Sequence, residues 1–236
     1  MGHPHGERGQ PLEEPFGPYA VLAAAAARWD RVAPCLASQP RARLAALLGL
    51  VRDPDRDTRI RGAAAAEAAA LLREEAPHEF DAGAGARLVD TAPAPGGGYP
   101  TVDGFAAEDL AVLLIDGHRM VGPVLGPVRD RLLAEPALDA EDLVRDGGAP
   151  LAPGLIRLPG VGGRLRLPRF QFSEGTLPWL AVLEVNALLA ADRDPWGAAD
   201  WWLSANAWLG TSPVDLLGTG RDRQLADTAR FLMESE

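Results

Sequence analysis

Apolar residues recur at helical spacing through YAVLAAAAARWDRVAPCLA, placing Val21, Leu22, Trp29, Val32 and Leu36 on an inward face. The run Ala23 to Ala27 consists of the best helix former and contains no turn residue, and Pro34 should end or kink the helix. Pro40 opens a second helical pattern, RARLAALLGLV, with Leu44, Leu47, Leu48 and Val51 on one side. The segment Asp53 to Thr58 reads as a loop whose Asp57 or Thr58 can accept the free N–H groups of the next helix. That helix is expected from about Arg59 to Glu75, stopping before Pro77. Three short helices with brief connections predict a helical bundle over residues 19–80.

The pattern is lost on either side of that bundle. Residues 1–18 combine Gly, Pro and charge without periodicity and are expected to form a flexible arm. Residues 81–104 read as a linker, with Gly96, Gly97 and Gly98 following Pro93 and Pro95, so a domain boundary is expected near residue 98. This glycine run is not a phosphate loop, because no Lys-Ser or Lys-Thr follows it.

Helical spacing returns over residues 105–149. Phe105, Leu110, Leu113 and Leu114 share one face, Asp116-Gly117 turns the chain, and Pro123 and Pro127 each suit the first turn of a following helix. Val128, Leu132 and Leu133 continue the stripe. Helix, turn and helix resemble a DNA-reading helix-turn-helix, with Arg119, Arg129 and Arg131 as the candidate phosphate or base contacts. The alternative is two packed helices with solvated arginines, which the Gly-Pro interruptions favour.

From residue 150 to 236 a short β passage leads into helices. Leu155 to Leu158 and Arg164 to Leu167 flank the turn PGVGG and predict a hairpin, the second arm alternating charged and apolar residues. Arg157, Arg164, Arg166 and Arg169 crowd this ribbon, facing either a partner or acidic groups of the same molecule. Helices are expected at about Leu177 to Ala191, Trp196 to Ala207 and Arg221 or Asp222 to Met233. Five of the six tryptophans fall here: Trp179, Trp196, Trp201, Trp202 and Trp208. Each can bury a large rigid surface. Trp196 and Trp201 are expected inward, and Trp202 or Trp208 outward.

Composition narrows the function classes. A formal net charge of −10 disfavours nucleic acid as the main ligand, since that affinity rests on neutralising phosphates. Lys is absent, so every fixed positive charge on a side chain is Arg. The lone Cys35 allows no internal disulfide and reads as a small core residue in a reducing, cytoplasmic setting. No apolar run approaches the roughly 18 residues of a membrane span. His3, His5, His78 and His118 stand without a ligand cluster, and neither GxSxG nor HExxH occurs, so no metal, cofactor or catalytic residue is expected. The acid pairs Glu74-Glu75 and Glu108-Asp109 read as solvated helix faces.

Asp194-Pro195, Trp201-Trp202, Asn206, Leu209-Gly210, Ser212-Pro213, Asp215-Leu216-Leu217 and Gly220 form a spaced motif. It resembles the Xre/MbcA/ParS-like toxin-binding domain of bacterial antitoxins, as does the preceding LPRFQF. Ala205 and Thr211 depart from the family's usual Pro and Gly, in the connection that sets an interhelical angle. The resemblance covers residues 150–236; residues 1–149 match no family pattern. It implies a helical module that docks on a partner enzyme, often a RES-domain toxin that degrades NAD, and occludes its active-site entrance. Trp202, Asn206, Trp208, Leu209 and Asp215 are then the candidate partner contacts, although Asn206 and Asp215 also suit helix capping.

The expectation is a mainly α protein with an N-terminal helical bundle and a C-terminal helical domain bearing one β-hairpin. Its expected function is non-enzymatic protein binding in a toxin–antitoxin system, with a homo-oligomer as one outcome. The alternative is a DNA-binding transcriptional regulator using residues 105–135.

Overall fold

Every residue from Ala20 to Ala26 is buried in the first helix, α1 (Pro18–Ala27), which therefore has no polar face and serves as a core rod. The computed structural model describes residues 17–80 and 100–234, and the chain divides into two compact units after Ala111. The fold is mainly α with two small antiparallel sheets. Apart from Gly17 and Pro18, the expected N-terminal arm lies outside the described residues, as does the expected linker up to residue 99.

In the first unit, α1 gives way at Arg28 to a single turn, α2 (Trp29–Val32), and then a 3-10 turn at Ala33–Cys35. The break precedes Pro34, and Trp29 is only half-buried. Cys35 is exposed rather than core, since the 3-10 turn rotates it outward and Leu36 takes the inner position. Helices α3 (Ser38–Arg52) and α4 (Thr58–Glu75) form the expected hairpin, and Leu44, Leu47, Leu48 and Val51 are all buried. Asp57 caps α4 by accepting the Arg59 N–H at 2.7 Å. Alanines 64, 65, 68 and 69 face inward, so α4 can approach α1 backbone to backbone. A short α5 (Pro77–Phe80) follows.

Val102 and Phe105 exchange both backbone hydrogen bonds at 2.9 Å around Asp103-Gly104, whose φ values of 53° and 78° make the mirror-image turn that Asp-Gly favours. Helix α6 (Ala107–Ala111) then packs on α1 and α3. The segment expected as one helical unit over 105–149 is thus divided between the two compact units. Asp109 is buried, not solvated, and accepts the Ala106 N–H at 2.9 Å, while Glu108 pairs with Arg52 at 2.9 Å.

The second unit begins with a π-helical turn, Val112–Asp116, followed by α7 (Gly122–Ala134). Pro123 sits in the first turn, but Pro127 lies inside the helix, where it removes one backbone hydrogen bond. Strand β1 (Ala137–Asp139) and a short α8 (Ala140–Arg145) precede the expected hairpin, β2 (Leu158–Pro159) with β3 (Leu165–Pro168). The hairpin is not alone. β1 pairs antiparallel with β3, Leu138 opposite Leu167, giving the order β1-β3-β2. A second ribbon, β4 (Phe172–Glu174) with β5 (Leu177–Pro178), leads into α9 (Leu180–Leu188). Then come α10 (Pro195–Leu203), a 3-10 turn (Pro213–Leu216) and α11 (Asp222–Glu234).

The arginines of the ribbon turn back onto their own chain. Arg157 donates to the Ala152 carbonyl at 3.0 Å, Arg166 to that of Leu133, and Arg169 to that of Phe172 at 2.8 Å. Arg164 stays exposed beside Asp139, Glu141 and Asp142. Arg157, Arg166 and Arg169 thus bond main-chain carbonyls, not the acidic groups expected as their intramolecular partners.

Candidate partner-docking surface

Trp202 anchors the second unit and is completely buried. Its indole N–H donates to Asn186 Oδ1 at 2.8 Å. Asn186 Nδ2 in turn donates to the Gly154 carbonyl at 2.7 Å and reaches Gln171 Oε1 at 3.3 Å. Gln171 accepts the Ile156 N–H at 2.7 Å and donates to the Ile156 carbonyl at 3.0 Å. Asn186 and Gln171 are both 0% exposed, so this chain of polar groups is satisfied within an otherwise apolar core. It ties α9, α10 and the ribbon together around the LPRFQF stretch. The sequence presents Gln171 only as a polar residue between two phenylalanines, and neither it nor Asn186 stood out as central.

The tryptophans sort by position on their helix. Trp196 is buried and lies against His118, ring centroids 4.9 Å apart; Trp201 is half-buried, edge-on to Trp202 at 5.2 Å. The Trp201 N–H is buried and finds no acceptor among the described residues. Trp202, expected as one of two outward candidates, cannot contact a partner: on α10 it faces Phe170 and Asn186 at the centre of the core. Leu209 fails as a contact for the same reason, being 7% exposed and part of that core.

Trp208 is the outward one, 65% exposed. Asn206 puts it there. Its side chain accepts the backbone N–H groups of Trp208 at 2.9 Å and Leu209 at 3.3 Å, while its own N–H bonds the Thr211 carbonyl at 3.1 Å. This Asx turn closes at Gly210, whose φ of 73° suits glycine. Asp215 accepts from Thr211 Oγ1 at 2.7 Å, bracing the far side of the same turn. Asn206 and Asp215 are therefore shaping residues, and Thr211 supplies one of the bracing bonds.

Trp208 meets α11. Its ring stands edge-on to Phe231 with centroids 5.1 Å apart, and Phe231 is itself 51% exposed. Together with Arg223, Gln224, Asp227 and Thr228 they line an open groove of about 490 Å³. Edge-to-face aromatic pairs are mutually stabilising, so both rings are held while half their surface stays in water. Phe231 was not singled out in the sequence. The signal was available: in α11 it lies off the stripe of Leu225, Ala226 and Ala229 that faces the core.

The candidate nucleic-acid contacts do not assemble. Arg129 is buried, donating to the Met120 carbonyl at 3.0 Å and to Asp130 at 2.9 Å, so it has no reach to a phosphate. Arg131 is held by Asp200 and by Ser204 at 3.3 Å. Arg119 is exposed. No group of three or more His, Cys, Asp or Glu side chains able to hold a metal occurs among the described residues, and no helix there is long and apolar enough to cross a membrane.

No protein-family model matches the chain, and no curated protein and no solved structure matches it.

Proposed function

We propose that the chain is a non-enzymatic, antitoxin-like binding module that docks on a partner enzyme through the Trp208–Phe231 groove and inhibits it. The observation that carries this reading is the exposed aromatic pair. Two large rings, 65% and 51% exposed, stand pre-organised beside a groove at the rim of a well-packed core. Aromatic anchors held rigid before binding lose little entropy on docking and supply most of the energy at protein interfaces. The resemblance of the surrounding motif to toxin-binding domains makes an NAD-degrading RES-type enzyme the first partner to test. Residues 173–236 carry net charge −6, from ten Asp and Glu against four Arg, which suits an enzyme whose own site is built for an anionic cofactor.

The experiment is capture from the native host with the full chain as bait, beside the same chain carrying Trp208→Ala, followed by an NAD-consumption assay on any enzyme retained. The wild type should retain the enzyme and suppress its turnover, and the variant should lose both by at least about tenfold. Equal inhibition by wild type and variant would move docking away from the groove. Retained enzyme with undiminished NAD consumption would end the inhibitor reading.

A further inference from the structure

Besides the aromatic pair, α11 carries a second exposed feature, a stripe of alternating charge. Arg223, Asp227, Arg230 and Glu234 recur four, three and four residues apart, so they fall on one line along the helix. All four are exposed, Arg223 with 96% of its side chain in water. Beside this line runs the groove stripe of Gln224, Thr228 and Phe231.

The charge stripe is self-complementary about a point between Thr228 and Ala229, and the groove stripe is centred within about one residue of it, at Thr228. Laid antiparallel on a second copy of itself, the helix sets Arg223 against Glu234 of the second copy and Asp227 against its Arg230, each pair formed twice. Gln224 then lies opposite Phe231, with Thr228 at the axis. A slide of one turn brings Arg223 against Arg230 and Asp227 against its own copy, and a parallel pairing sets every charge against itself. Here Phe231 is the apolar residue of the seam, and charges flanking a helix–helix seam select partner and orientation in this way. The present intrachain pairs, Arg230 with Asp227 at 3.0 Å and with Glu184 at 3.8 Å, and Arg223 with Asp227 at 3.8 Å, are exposed and of small net energy, so exchanging them across an interface costs little.

We propose that the α11 face is a two-fold, antiparallel dimerisation surface for a second copy of this chain. The seam is one helix of 13 residues. It is therefore short, and the dimer is weak and salt-sensitive. The proposal shares the groove with the docking reading, and self-association then competes with partner capture. Its test uses the isolated chain, so either idea can fail without the other.

The test is sedimentation equilibrium of the full chain over a wide concentration range, with far-UV circular dichroism confirming that each variant is folded. Wild type should dimerise reversibly. Asp227→Arg and Arg230→Asp alone should each weaken the dimer by roughly tenfold or more, because like charges then meet twice. An equimolar mixture of the two should dimerise again, since Arg at 227 meets Asp at 230 across the axis. Phe231→Glu should abolish the dimer without involving the charge stripe. The proposal is overturned by a wild type that stays monomeric throughout, which leaves the groove to another protein. Charge variants that associate as tightly as wild type, or a mixture that fails to recover, overturn it as well.

Discussion

Trp202 and Trp208 come from one short aromatic stretch and end in opposite environments. Trp202 is 0% exposed, with its N–H on Asn186, inside a polar chain that joins two helices to the ribbon. Trp208 is 65% exposed, lifted out of the core by the Asn206 turn and braced edge-on against Phe231. The difference arises where α10 ends after Leu203. Within the helix, periodicity sends Trp202 inward, whereas beyond it the local hydrogen bonds of a turn decide direction. A ring placed by helical periodicity contributes to stability, and one placed by a turn is available for binding.

The largest effect is expected from Trp202→Ala, which should destabilise the second unit by about 3–5 kcal/mol through the cavity and the stranded Asn186 amide. Tryptophan fluorescence during urea unfolding reads this directly, because five of the six tryptophans belong to that unit. A loss under about 1 kcal/mol would mean that Trp202 is not the anchor. Gln171→Leu should come next, at about 1–3 kcal/mol, since it leaves the Ile156 N–H and carbonyl without their buried partner. Asn206→Ala should cost about 1 kcal/mol in stability while weakening partner capture more than that figure suggests, because the turn no longer fixes Trp208. Trp208→Ala should change stability least, by no more than about 1 kcal/mol, in the same urea experiment. A larger loss would erase the contrast and return Trp208 to the core.

The two units differ in how readily their sequences could be read. In the first, buried Leu44, Leu47, Leu48 and Val51 sit where helical spacing puts them, and Asp57 caps α4 as its position before the helix predicts. These are local matters of periodicity and capping. Residues whose roles are set by local backbone detail rather than by periodicity are not legible in this way, in either unit. Cys35 was rotated out by a 3-10 turn, Asp109 was drawn in as a cap, and Arg129 was buried against a carbonyl nine residues away. Strand β1 stayed hidden because three residues carry no usable alternation, and only their pairing with β3 defines them.

The amino-acid sequence by itself determined the mainly α class, the helical hairpin of the first unit, the β2–β3 hairpin and the concentration of aromatic residues in the second. Each follows from spacing, propensity or turn chemistry acting over a few residues. Only the tertiary structure decided that Gln171 and Asn186 form the polar centre of a core, and that Phe231 joins Trp208 at a groove. Those outcomes depend on side chains far apart in sequence meeting across packed elements. A periodic pattern specifies the inner face of a helix but not what will stand opposite its outer one.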